Sequence, residues 1–158
     1  MKKFQLTDWA AAAEIAGTLG VIVSLMFVVF SVNNNTIEVR ASHRNYIYDS
    51  SREVELAVAS DDEWSRIVVK GRKKGEQLSE IEQYRYDAYL VSTIDIWAVM
   101  LERYNDGLMA VSTIDGWDQY FIEWARRNVS ESDWQRIKWQ YLDDDIITQK
   151  IESVISLK

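Results

Sequence analysis

His43 is the only histidine in the chain and cysteine is absent, so the commonest routes to an activated nucleophile or a transition-metal site fall away together. A Ser-His-Asp triad needs an imidazole base, a structural zinc site needs several thiolates or imidazoles, and a di-iron bundle needs paired Glu-x-x-His motifs. A lone histidine just beyond an apolar segment reads as a surface residue. No P-loop, Gly-x-Gly-x-x-Gly or EF-hand pattern occurs. Asp143, Asp144 and Asp145 form a run of three carboxylates and could attract a divalent cation. Three consecutive side chains diverge around a helix, however, and no glycine turn gathers them, so the run reads first as a helix break and cap. Tyr86, Asp95, Glu102 and Tyr104 remain as polar side chains that could meet a small ligand between helices. The expectation is a protein with no catalytic residue, no cofactor and no metal, and hence not an enzyme.

The elements that would position these residues follow from composition. Proline is absent and glycine occurs six times in 158 residues, which removes the punctuation of β-sandwiches and leaves long helices as the default. Formal net charge is −7; Lys2 and Lys3 balance Asp8 and Glu14 within residues 1–32, so the remainder also carries −7. An acidic domain repels a phosphate backbone, and nucleic acid is not expected as a partner. The one basic run is Lys70, Arg72, Lys73 and Lys74. It reads as a solvated turn, or as a contact with anionic lipid headgroups worth about 1 kcal/mol per charge.

Residues 9–32 contain a single ionisable side chain, Glu14, and residues 15–32 contain none. At 1.5 Å per residue such a helix reaches about 36 Å, enough to cross a hydrocarbon core of about 30 Å with tilt. A cleaved signal peptide is the rival reading, since Lys2 and Lys3 resemble its charged start. The apolar run is long for one, and the Ala-x-Ala cleavage pattern is lacking. A retained span is therefore expected, with Trp9 as an interface anchor.

Within the span, Ala10, Ala13, Gly17, Gly20, Ser24 and Ser31 recur at alternating steps of three and four, Phe27 filling the remaining place. Small side chains let helix backbones approach in lipid, so this seam is expected to pack against a copy of the chain or another membrane protein. Glu14 lies beside the seam near the N-terminal edge, where it can reach headgroup water, complement the helix dipole, or join a ring of carboxylates in an assembly. A pore lined by Glu14 or Ser24 is a narrower form of the same idea. Arg40, Arg44 and Arg52 beyond the span nearly balance Lys2 and Lys3 before it, so charge bias alone does not orient the helix.

After the span the seam register continues through Asn34, Glu38, Ala41, Asn45 and Tyr48, and the helix is expected to run into water and break near Ser60. Asp61 or Asp62 then caps a short helix ended by Gly71 and Gly75. Ser79 with Glu82 forms a capping box for a long helix whose apolar face is Tyr86, Leu90, Ile94, Trp97, Leu101 and Tyr104, stopping at Gly107. Ile114, Trp117, Phe121 and Trp124 mark another helix, Ser130 caps one carrying Trp134, Ile137 and Tyr141, and a last begins near Asp144 or Asp145 and ends near Leu157. Residues 91–97 and 111–117 differ only at Ile96 and Gly116. The first copy falls inside a helix, whereas in the second Ser112 or Thr113 is placed to cap a new one. Seven tryptophans and eight tyrosines supply the core and leave aromatic surface suited to a protein partner.

The opening Trp9-Ala10-Ala11-Ala12-Ala13-Glu14-Ile15, with Gly17, Gly20, Val21, Ser24 and Leu25 and on to Asn35-Thr36, resembles an uncharacterised family of short bacterial single-pass membrane proteins. Its N-terminal span ends in a Gln-Asn-Thr-like signature. Gly71, Gly75, Leu78-Ser79, Glu82, Tyr86, Tyr89, Glu102, Tyr104, Gly107-Leu108 and Trp117 follow in the order that family shows. The resemblance implies a bacterial cytoplasmic membrane protein, and basic residues after the span in many members imply a cytoplasmic soluble domain; here Asn33 and Asn34 stand where such residues often occur. It implies no activity.

The reading is thus an all-α chain, with one transmembrane helix (1–32) extending into a soluble helical bundle (33–158). The expected function is that of a non-enzymatic accessory or structural membrane subunit. Its expected partners are the lipid bilayer and either itself or another membrane protein.

Overall fold

The computed structural model describes the backbone of residues 6–73 and 76–156 and the side chains of residues 9–73 and 76–156. Lys2, Lys3, Lys74, Gly75, Leu157 and the side chain of Asp8 lie outside the described residues. The chain is all-α, as its composition implies: α1 (Leu6–Ala59), α2 (Asp62–Gly71), α3 (Glu80–Asn105), α4 (Val111–Asn128), α5 (Glu131–Ile137) and α6 (Ile146–Ser156). A 3-10 turn covers Lys138–Gln140, and no strand occurs among the described residues. Two compact units divide the chain, Met1–Val39 and Arg40–Lys158.

In the first unit α1 is long and apolar enough to be a candidate membrane span, and none of its most apolar stretch is buried. Its hydroxyl side chains bond within the helix. Thr18 Oγ1 donates to the Glu14 carbonyl at 2.9 Å, Ser24 Oγ to the Gly20 carbonyl at 2.8 Å and Thr36 Oγ1 to the Val32 carbonyl at 2.9 Å. A helix that satisfies its polar groups internally needs no water along its flank, which is the condition hydrocarbon imposes.

In the second unit α1 buries Ile47 and Ser51 and half-buries Val54 and Val58. The helix runs on as expected, but the seam register does not mark its packed face: Asn34, Glu38, Asn45 and Tyr48 are exposed and Ala41 is half-buried. Burial follows the stripe where large apolar side chains recur at helical spacing, and not the register of small ones extrapolated from the span. The helix ends at Ala59, beside the expected break, and the Asp61 carboxylate caps α2 by accepting from the Trp64 N–H at 2.9 Å.

The hub is α3, which packs against α2, α4, α5 and α6. Its start is the expected capping box: Ser79 Oγ accepts from the Glu82 N–H and Glu82 accepts from the Ser79 N–H. Tyr86, Leu90, Ile94, Trp97 and Leu101 are buried, as their spacing requires, with Ile67 and Val68 of α2, Phe121 and Trp124 of α4, Trp134 and Ile137 of α5 and Ile151 of α6 around them. The stop is Gly107 at φ +72°, where a left-handed residue lets the Gly107 and Leu108 N–H groups bond back to the Tyr104 and Arg103 carbonyls at 2.9 Å.

The start of α4 is corrected. Ser112 and Thr113 are not caps but lie inside the helix, which begins at Val111 after an extended Ala110 with no side-chain cap. The turn closing α3 at Leu108, followed by the buried Met109, delivers the chain already directed into the helix. The expected Ser130 cap is present, and Asp133 completes a second capping box there.

Two polar clasps join these helices. Trp97 Nε1 donates to Asp118 Oδ1 at 2.9 Å while Lys150 Nζ reaches Asp118 Oδ2 at 2.5 Å, linking α3, α4 and α6. At the far end of α4, the Asn128 carbonyl accepts from Tyr86 Oη at 2.7 Å and Asn128 Oδ1 accepts from Arg72 Nε at 2.5 Å. Burial raises the Tyr86 phenol above its ordinary value, so it stays a neutral donor.

Candidate functional site

The seam residues Ala10, Ala13, Glu14, Gly17, Gly20, Ser24 and Ser31 are all exposed on α1. A Cβ added at Gly17 or Gly20 would meet nothing within 4 Å, so the described residues leave the glycine edge open. Trp9 is exposed at the head of the same segment.

The basic run is largely engaged by the protein itself. Lys70 Nζ pairs with Glu82 Oε2 at 2.7 Å, Lys73 Nζ with Glu76 Oε1 at 3.1 Å, and Arg72 bonds to Asn128 and, at 3.5 Å, to Tyr89 Oη. The fourth member, Lys74, is outside the described residues. Glu82 also meets Arg66 Nη1 at 3.2 Å. The Lys70 ammonium and the Ser79 N–H hold the Glu82 carboxyl down at about 2.

The polar set on α3 does not converge. Tyr86 is committed to the Asn128 carbonyl, Asp95 accepts from Tyr141 Oη at 2.9 Å, and Glu102 is exposed. His43 is half-buried. Asp143 pairs with Lys138 Nζ at 3.3 Å, and Asp145, immediately before α6, accepts from the Leu142 N–H at 3.2 Å. Among the described residues no cluster of three or more His, Asp or Glu side chains is placed to hold a metal.

The structure brings a different group of residues together. An open groove of about 980 Å³ runs between the C-terminal part of α1 and α4, lined by Arg44, Tyr48, Arg52, Gly116 and Trp117 among others. Beside it lies a chamber of about 310 Å³ walled by α1, α3 and α4; Ser51, Glu55, Ala59 and Tyr120 border both spaces. Val54, Val58, Ile96, Phe121 and Trp124 make the chamber apolar, and Tyr89, Thr93 and Arg72 add polar atoms. Tyr120 Oη donates to Glu55 Oε1 at 2.8 Å; burial first, then that bond, raises its phenol above the ordinary value, so it remains protonated. Ser51 Oγ is buried without a hydrogen-bond partner among the described residues.

Sequence reasoning passed over both spaces, although a signal marks each. Ser51 interrupts an apolar stripe of Ile47, Val54 and Val58, and Gly116 stands where the matching segment has Ile96. Ile96 is buried against the chamber, whereas a Cβ added at Gly116 meets nothing within 4 Å. The glycine thus keeps the groove open where its counterpart fills space.

Compared with known proteins, the chain matches no family model, no curated protein and no solved structure.

Proposed function

We propose that the chain is a non-enzymatic, single-pass subunit of the bacterial cytoplasmic membrane, its helical domain on the cytoplasmic side, assembling with itself or with another membrane protein along the small-residue edge of α1. The supporting observation is the bare apolar stretch of that helix. Ile15, Leu19, Ile22, Met26, Val29 and Phe30 are all exposed, and no other part of the described chain covers them. In water each would lose roughly 1.5–3 kcal/mol relative to an apolar environment, so lipid or another helix has to surround them. The in-helix bonds of Thr18, Ser24 and Thr36 suit the same environment.

Fractionation tests the location. Expressed in a bacterial host, the protein should sediment with membranes, resist extraction by high salt and alkaline carbonate, and dissolve only with detergent; recovery as a detergent-free soluble monomer would defeat the reading. Because the chain has no cysteine, single cysteines report cleanly. A Glu63→Cys variant should react with a membrane-impermeant maleimide only after cells are opened, and a Ser24→Cys variant should form a disulfide-linked dimer if the partner is a second copy. A monomeric Ser24→Cys product directs the search to whatever co-purifies from native membranes.

A further inference from the structure

We propose that the chamber between α1, α3 and α4 binds a small carboxylate with an aromatic or branched aliphatic body. It uses no residue of the first unit. At about 310 Å³ it falls at the lower end of the range for small-molecule sites, roughly 300–1,000 Å³. The walls set the body of the ligand: Val54, Val58, Ile96, Phe121 and Trp124 offer apolar and aromatic surface.

The polar atoms set its head. Tyr89 Oη already accepts from Trp124 Nε1 at 2.9 Å and from Arg72 Nη2 at 3.5 Å. Two donors on one phenol oxygen leave its O–H to be given away, and no acceptor for it is present among the described residues. Ser51 Oγ is about nine-tenths buried and has no partner among the described residues, a second hydroxyl left unmet. An unmet buried hydroxyl is costly, so it marks a place where a partner is missing. Glu55, the carboxylate on this wall, accepts from Tyr120 Oη through Oε1. The Tyr89 O–H and the Ser51 hydroxyl are donors without a partner among the described residues, which a guest that accepts would satisfy.

Arg72 is the group on this lining that favours an anion over a neutral acceptor. The partners of Arg72 are the neutral Asn128 Oδ1 and Tyr89 Oη, and among the described residues no carboxylate pairs with its guanidinium. Nη1 and the remaining Nη2 hydrogen have no partner among the described residues. A guanidinium fork beside two hydroxyl donors is the arrangement that fits a carboxylate, through charge-assisted hydrogen bonds.

The full chain in phosphatidylcholine nanodiscs, probed with 4-(trifluoromethyl)benzoate by fluorine NMR, provides the test, with protein-free discs subtracting partition into lipid. Saturable binding is expected, with 4-(trifluoromethyl)benzylamine at least tenfold weaker. Ser51→Val keeps the shape, removes the orphan hydroxyl and should leave thermal stability equal or higher while weakening the benzoate about threefold to tenfold. Ser51→Phe should fill the chamber and abolish binding. Arg72→Gln should weaken it about tenfold or more; if that variant does not fold, the two Ser51 variants decide. Absence of binding to the wild type, an equal affinity for the benzylamine, or benzoate binding untouched by Ser51→Phe would each overturn the proposal, the first of them assigning the chamber to water alone.

Discussion

Gly71 lies against the Tyr86 ring so closely that a Cβ built at position 71 would sit 2.7 Å from the ring atoms Cε2 and Cζ. The glycine was expected to end α2, and it is the last residue of that helix, followed by a cap at Arg72 with right-handed geometry. Its missing side chain is what admits a fully buried tyrosine to the α2–α3 contact.

Gly71→Ala should therefore destabilise the domain by about 1–3 kcal/mol, the cost of overpacking against a ring that cannot retreat. Thermal unfolding followed by circular dichroism would show it. A melting temperature equal to wild type would mean that the α2–α3 contact is looser than the structure has it.

Glu82 makes the stability of the α2–α3 corner depend on acid. Its carboxyl is lowered from 4.5 to about 2, first by the Lys70 hydrogen bond and then by the Ser79 N–H. The folded state holds the charged form more tightly than the unfolded chain does. The contribution is present above about 4.5 and is lost as pH falls toward about 2. Glu82→Gln keeps a capping-box partner but removes the charge, so the melting temperatures of mutant and wild type should converge as pH drops through that window. Parallel curves would place the acid sensitivity elsewhere.

Gly116→Ala should stabilise the protein by about 0.5–1 kcal/mol, since a glycine inside a helix costs roughly that much relative to alanine and the added Cβ meets no neighbour. Chemical denaturation would measure the gain. A loss of stability would reveal a contact at this position that the groove does not show.

The glycine edge of α1 can be tested without disturbing the monomer. With nothing within 4 Å of a Cβ at Gly17 or Gly20, Gly17→Ile and Gly20→Ile should insert normally and reduce assembly by tenfold or more, as seen by crosslinking or by size in mild detergent. Glu14→Gln should likewise insert, with weaker assembly. An oligomer unchanged in all three would remove the seam from the interface.

Much of the fold was legible because it depends on local chemistry. The caps at Asp61, Ser79 and Ser130, the stop at Gly107, and the apolar faces of α3 and α4 each need only a few neighbouring residues to form, and spacing along the chain records them. The candidate membrane span is legible for the same reason, since length and lack of charge are properties of a segment.

Where separate helices meet is set by packing. Ser51, Tyr89, Arg72 and Trp124 are dispersed across four segments, and no periodicity announces that their polar atoms share one chamber. Conversely, Tyr86 and Asp95 look available on α3 but are taken by Asn128 and Tyr141 from elsewhere in the chain. Hydrogen-bond partners distant in sequence are chosen by packing, because burial first fixes which helix faces touch and the polar groups then pair across those contacts or remain open.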